Sequence, residues 1–356
     1  SRRPLPSRQP APIAPCGLQH LAQGHESVWD VAAGRSPGGL MGKFTLYFAT
    51  DIHGSERCFR KFLNAGKAYG ADAVILGGDI TGKALVPVIE EAGGRWKAKV
   101  AGKWETASDT AELDDIERRI RTLGFYSYRT SPEEHAKMAA DEAYQSLVFD
   151  RVMRASVEGW VDIADTRLRD AGLPCLVMPG NDDIPAVKDL LSQASWLIQG
   201  EDHVLDFGPY QVLSLGYSTM TPWHSPRELS DGEMGRRLGE LIERIQPGRP
   251  VIFNVHNPPA DSGTDLAFKL TDNMRIATAG GEPVRTPVGS RAVRAVIEQV
   301  QPVLSLHGHI HESRAMSSIG RTKVCNPGSL YPDGILQGVL ISLDGDKVKG
   351  YKFVSG

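Results

Sequence analysis

Short apolar runs in this chain keep ending on the same few residue types: glycine, aspartate, asparagine and histidine. The runs include "KFTLYFATDIHG", "ADAVILGGDIT", "PCLVMPGND", "PVIFNVHNPP" and "PVLSLHGHIH". A short apolar run bounded by turn residues reads as a strand buried on both faces. Helical patterns separate several of them: "SERCFRKFLNAGKAYG", "IPAVKDLLSQAS", "DGEMGRRLGELIERI" and "SRAVRAVIEQV". Strand–helix alternation of this kind specifies an α/β fold. "YQVLSLGYS" and "RTKVCNPGS" add strands, and "GVLISLDGDKVKGYKFV" closes the chain with no intervening helix. That ending predicts an antiparallel portion, and so mixed sheets packed as a sandwich between helices.

A long interruption follows the second run. Within it, about 82–130 is expected to be an insertion: one or two hairpins from "PVIEEAGGRWKAKVAGKWETA", then a helix from "DTAELDDIERRIRTL" with Asp109 as its N-cap. Hairpin and helix together would form a cap over the active site. The next stretch, from "SPEEHAK" to "TRLRDAG", predicts one long helix. Ser131 caps it, Pro132 takes its first position, Glu134 lies three after the cap, and Gly172 and Pro174 end it. Its apolar stripe is Ala139, Ala143, Leu147, Val152, Val157, Trp160, Ala164 and Leu168, and its second half is expected to pack on the core.

Composition narrows the partners. With 356 residues, a net charge of −3 and 41% hydrophobic residues, the chain has the make-up of an ordinary globular protein. No overall basic bias exists to neutralise phosphates, so nucleic acid is not the expected partner. No apolar run reaches the length of a membrane span. Cys16, Cys58, Cys175 and Cys325 lie far apart with no CxxC pair, which fits reduced thiols in a cytoplasmic protein rather than a disulfide framework. Residues 1–40, rich in proline and arginine, read as a disordered extension, with Met41 a plausible natural start and an organelle transit segment the rival reading. The pattern admits a homo-oligomer as readily as a monomer.

Five stretches sit where strands run out: "ATDIHGS" (49–55), "GGDIT" (77–81), "PGNDD" (179–183), "NVHNPP" (254–259) and "GHIH" (308–311). Ligands of α/β sheets gather outside the carboxyl ends of strands, so all five can converge. Their donors are imidazole, carboxylate and one amide, a set that suits Zn, Fe, Mn, Ni or Co. Asp51, His53, Asp79, Asn181, His256, His309 and His311 exceed what one tetrahedral ion takes. They suit two ions sharing one bridging carboxylate. Asp51 and His53, one residue apart at a strand end, are expected to face the same ion by strand alternation.

In this order, D-x-H, G-G-D, G-N-D-D, V-H and G-H-x-H resemble the motifs of the calcineurin-like metallophosphoesterase superfamily, and "CNPGS" resembles a turn that recurs in it. The resemblance spans roughly 41–354 apart from the insertion. It implies a four-layer α/β/β/α sandwich with a dinuclear centre of two divalent or trivalent ions. By motif position, Asp51, His53 and His311 would hold the first ion, Asn181, His256 and His309 the second, and Asp79 would bridge both. His307 matches no ligand position and is expected to be structural or to orient a ligand. The implied activity is hydrolysis of a small phosphate ester, a hydroxide between the ions attacking phosphorus in line with the leaving group.

One departure bears on the substrate. Many members of the superfamily carry histidine after G-N, which is thought to protonate the leaving group; Asp182 stands there in this chain. A carboxylate beside cations stays charged and is a poor acid at neutral pH. The expectation is therefore a slight preference for phosphodiesters, with His224 of "STMTPWHSPRE" as candidate proton donor and Trp223 and Arg227 as candidate base-stacking and phosphate-clamping residues. Competing readings are a phosphomonoesterase or nucleotide phosphatase, and a non-catalytic scaffold on the same fold.

Overall fold

Strand Lys43–Ala49 shows how the sequence builds two cores at once. Phe44, Leu46 and Phe48 pack into one cluster while Tyr47 and Ala49 pack into another, as the two-residue period of a strand requires. The computed structural model describes residues 42–356; the expectations for 1–40 and for Met41 as a start lie outside the described residues.

Lys43–Ala49 lies inside a six-stranded sheet ordered Lys347–Ser355, Gln337–Asp344, Lys43–Ala49, Ala73–Leu76, Cys175–Val177, Leu197–Gln199. Its last four strands run parallel, and the C-terminal hairpin joins Lys43–Ala49 antiparallel, as the helix-free ending predicted. The second six-stranded sheet is ordered Ala315–Ile319, Thr322–Asn326, Leu304–Leu306, Val251–Val255, Tyr210–Leu215, His203–Phe207. Its four central strands are parallel and both edge strands antiparallel.

Phe44, Leu46, Phe48, Ile75 and Leu176 of the first sheet meet Val212, Ile252, Leu304 and Leu306 of the second, and this cluster fills the sandwich. On the outer face of the first sheet, Val74, Leu76 and Val177 carry helix Glu56–Tyr69 through Phe59, Phe62 and Leu63, and helix Glu142–Asp170 through Val157, Trp160, Ala164 and Leu168. Phe59 and Trp160 stack with ring centroids 4.3 Å apart. On the outer face of the second sheet, Leu213, Phe253 and Val255 carry helices Asp231–Ile242 and Arg291–Val300. The result is the expected four-layer α/β/β/α sandwich.

The segment 82–130 is a four-stranded sheet ordered Lys103–Ala107, Arg95–Val100, Leu85–Glu91, Tyr126–Thr130, with helix Thr110–Thr122 on it. Asp109 caps that helix, accepting from the Glu112 amide at 2.9 Å. The fourth strand pairs parallel to Leu85–Glu91 and was not foreseen.

The long helix is two. Pro132–Ala140 begins as predicted, with Ser131 accepting from the Glu134 amide, but Asp141 is extended at φ −131° and its carboxylate caps Glu142–Asp170 through the Tyr144 amide. A short acidic side chain that can bond the backbone ahead of it competes with helix continuation. The break also moves the stripe: Leu147 is exposed, and Val148 and Met153 are buried instead. Cys58, Cys175 and Cys325 are free and buried. No described helix is long and apolar enough to cross a membrane.

Candidate metal centre

The loops after the first three parallel strands are laced together by backbone. Asp51 N donates to Gly78 O at 3.0 Å, His53 N to Asp79 O at 2.9 Å, and Gly54 N to Ile80 O at 2.7 Å. The buried Asp183 carboxylate accepts from Ile80 N at 3.0 Å, Thr81 N at 2.7 Å and Gly180 N at 2.7 Å, which adds the third loop. Strand alternation does not aim Asp51 and His53, because the strand stops at Ala49. Both residues are left-handed instead, at φ 54° and 39°, as are Asp79 at 49° and His309 at 66°. Such conformations cost about 1–3 kcal/mol each in non-glycine residues and persist where the surroundings impose them.

These turns bring the predicted donors together. Asp51, His53 and His311 form one group that can hold a metal, and Asp79, His256 and His309 another, the donor atoms of each lying within 4.8 Å of one another. His53 Nε2 is 2.9 Å from His311 Nε2 and 3.5 Å from Asp79 Oδ2. His256 Nε2 is 3.3 Å from Asp79 Oδ2 and 3.8 Å from Asp51 Oδ1, so the two groups are continuous. Asp79 faces imidazoles of both. His309 also gives its backbone amide to Asp51 Oδ1 at 3.0 Å.

The donor set fits metal ions on several observations. Asn181 Oδ1 and His256 Nε2 are buried acceptor-capable atoms with no hydrogen-bond partner among protein groups. His256 Nδ1 is engaged by Gly77 O at 2.9 Å, which fixes the ring with Nε2 toward the carboxylates. The field is cation-attracting: burial pulls the His256 ring down, but Asp79 and Asp51 overcome it and raise it to about 10. Burial pushes the Asp51 carboxyl up, and His256 and His311 more than reverse this and hold it at about 2. Backbone packs against the donors with no room to spare. A Cβ on Gly180 would lie 2.1 Å from Asp79 Oδ1, and one on Gly308 2.3 Å from Asp51 Oδ2.

His307 is not in either group. Its buried ring reaches Val255 O at 2.7 Å and Asn257 O at 3.1 Å through Nδ1, and Ser305 Oγ at 2.8 Å through Nε2. It therefore grips the backbone on both sides of His256 rather than any donor side chain. Asp182 makes a third such group with His53 and Asp79, its Oδ2 3.8 Å from His53 Nδ1, and its amide donates to Asp79 Oδ1 at 2.9 Å. His224 is exposed, at φ 52°, and lies in none of these groups; its neighbour Ser225 donates to Asp182 Oδ1. Trp223 is 68% exposed in that loop. Arg227 is buried and committed to Glu201 and to Gly180 O at 2.9 Å, so it is not available as a phosphate clamp.

Four contributors were not anticipated. Lys83 forms an ion pair with Asp182. Asp183 ties the Asp79 loop to its own, as described. Ser225 holds Asp182. Tyr331 lays its ring 4.6 Å from that of His53 and edge-on to His311 at 5.7 Å. Lys83 stands four residues after Asp79 in "GGDITGK", but nothing in that spacing distinguishes it from a solvated lysine.

The chain resembles the calcineurin-like metallophosphoesterase superfamily. Its motifs occur in the expected order and meet at one edge of an α/β sandwich. No family model matches the chain. An uncharacterized protein of Methanocaldococcus jannaschii is 27% identical over 154 residues, which is 43% of this chain and 62% of that protein. The match thus spans less than two thirds of the relative. Among solved structures, the Thermus thermophilus protein TT1561 aligns with a TM-score of 0.46 at 15% identity, covering 88% of this chain and 98% of that one. A protein described as a novel archaeal phosphodiesterase aligns with a TM-score of 0.29 at 11% identity, covering 88% and 100%. At these scores the likenesses are distant and say nothing about activity.

Proposed function

We propose that this protein is a metal-dependent hydrolase of small phosphate esters, with two ions bound and phosphodiesters slightly favoured. The observation that carries the reading is the continuity of two donor groups through Asp79, with imidazoles from both within 3.5 Å of one of its oxygens. Asp51, His53 and His311 are assigned to one ion, Asn181, His256 and His309 to the other, and Asp79 to both. Bound ions would supply Lewis acidity and make water nucleophilic at neutral pH.

The chain's own part is positioning. His307 fixes the His256 loop, Asp183 fixes the Asp79 and Asn181 loops against each other, and the amide of Asp182 orients Asp79. Asn181 contributes a neutral oxygen, which keeps the pair of ions more positive than a third carboxylate would. Asp182 takes the place of an imidazole and, paired with Lys83, is not assigned as the acid; His224, next to the Ser225 that bonds Asp182, is assigned as donor to the leaving group. Segment 82–130 is assigned as a cap. Support for this is its anchorage: Thr122 O accepts the Ser55 hydroxyl at 2.7 Å, and Gly124 packs against His53 O. A non-catalytic scaffold would have no need of the full set of expected donors.

The test is reconstitution. Chelator-stripped protein is expected to lose hydrolysis of bis(p-nitrophenyl) phosphate and to regain it with Mn, Fe, Ni, Co or Zn. The diester should be cleaved better than p-nitrophenyl phosphate at equal metal content. Undiminished turnover in excess chelator refutes the metal mechanism, and a strong monoester preference refutes the role given to Asp182.

A further inference from the structure

A carboxylate beside a phosphate site carries the wrong charge. Asp182 is in that position, its side chain 15% exposed and its Oδ2 3.8 Å from His53 Nδ1. Left alone, it would repel an incoming phosphoryl group, and a dianion more strongly than a monoanion.

Lys83 answers that charge. Its ammonium pairs with the same Oδ2 that faces His53, so cation and metal-side imidazole share one carboxylate oxygen. The other oxygen, Oδ1, takes the Ser225 hydroxyl and, at 3.1 Å, Asn181 Nδ2. The carboxylate is therefore pinned from three sides and cannot swing away. Lys83 is half exposed, so its ammonium keeps donor capacity toward solvent while its charge stays at the rim. The residue before it is held in place, the Gly82 amide donating at 2.9 Å to the hydroxyl of Tyr126, where the last strand of the inserted sheet begins. Burial pulls the Lys83 ammonium down, but the bond to Asp182 and the charges of Asp182 and Asp79 outweigh it and keep the group cationic.

We propose that Lys83, through its pair with Asp182, sets which phosphate charge this site accepts: it cancels the carboxylate and offers its remaining N–H groups to a phosphoryl oxygen, so that a dianion is admitted beside a monoanion. The substrate class rests on the hydrolase reading above; the binding role does not need turnover.

The experiment measures binding of inorganic phosphate, mostly dianionic at pH 8, and of dimethyl phosphate, a monoanion, to Mn-loaded full-length protein by calorimetry, with the metal content of every sample determined. Lys83→Met is expected to weaken inorganic phosphate about tenfold and dimethyl phosphate much less, because one extra unit of charge feels the lost cation at a partly exposed site. Lys83→Arg should retain wild-type selectivity. The double variant Lys83→Met with Asp182→Asn should recover most of the loss, which a merely structural lysine would not allow. Unchanged phosphate affinity in Lys83→Met at full metal content overturns the proposal, as does an equal loss for both anions or no recovery in the double variant. If phosphate selectivity follows the expected pattern but no ester is hydrolysed, the hydrolase reading fails and the role of Lys83 stands. If esters are hydrolysed and the pattern is absent, the reverse holds.

Discussion

His307 offers a quantitative test of the scaffold that holds His256. Its ring is fully buried and occupied at both nitrogens by Val255 O, Asn257 O and Ser305 Oγ. Protonation would place a charge where no carboxylate partner stands, and burial lowers its pKa from 6.5 to about 4. A histidine depressed on folding contributes stability that is complete above its unfolded pKa and is lost as pH falls toward the folded value. The window is therefore pH 6.5 to about 4. By linkage, the loss is about 2 kcal/mol at pH 5 and about 3 kcal/mol by pH 4. Replacing His307 with glutamine removes this titration but leaves the other buried histidines in place. Urea midpoints of metal-free protein, followed by tryptophan fluorescence from pH 7.5 to 4.5, should show wild type and His307→Gln converging as pH falls. The glutamine variant should be the less stable at pH 7.5, for want of one imidazole bond pattern, and should close the gap by about 2 kcal/mol near pH 5. A gap that stays constant across the range would refute the assignment of His307 as a buried neutral imidazole.

Two further outcomes follow from the same contacts. Asp79→Ala should abolish loading at both metal positions, whereas His307→Gln should retain most bound metal at pH 7.5; plasma emission spectrometry on dialysed samples checks this, and equal losses would mean that the three histidines of "HGHIH" are wrongly sorted. Gly180→Ala should cost about 1–3 kcal/mol and displace Asp79, because the added Cβ would sit 2.1 Å from Asp79 Oδ1 and 2.2 Å from Asp79 N, where backbone cannot yield. Thermal melting and metal content both report it, and a wild-type melting temperature would show that the close approach is relieved.

The core of the fold was legible because its strands are short, apolar and end on turn residues. Alternation in Lys43–Ala49 sorts its residues between the two faces without further information. The edge strands were harder. Leu197–Gln199 and His203–Phe207 are only three and five residues long and owe their state to pairing with neighbours. Tyr126–Thr130 pairs with Leu85–Glu91 across a helix and two strands, a contact that local pattern does not encode. The break at Asp141 was hidden for the opposite reason, since periodicity continues through it while one side chain's bond to the Tyr144 amide decides the geometry. At the site, residues with metal-binding chemistry stood out; those that act only through position did not. Lys83 and Ser225 acquire their roles from Asp182, which lies far from both in the chain.

That distinction extends to the turn "CNPGS". Asn326 donates through Nδ2 to Gly308 O at 3.1 Å and Ile310 O at 3.0 Å, the carbonyls on either side of His309. Ser329 donates through Oγ to Asp51 O at 2.6 Å and through its amide to His311 O at 3.0 Å. Asp183 and His307 do the same for the remaining loops. Each donor loop is thus clamped by a buried polar side chain that does not itself point at the donor groups. Buried polar groups cost stability unless satisfied, and here they are satisfied by the very carbonyls and amides that aim the donors. The left-handed backbone at Asp51, His53, Asp79 and His309 is what these clamps hold in place. Because these hydrogen bonds hold the donor loops, the sandwich and its clamps should survive removal of metal, which circular dichroism of chelator-treated protein checks; loss of the folded signal would refute it.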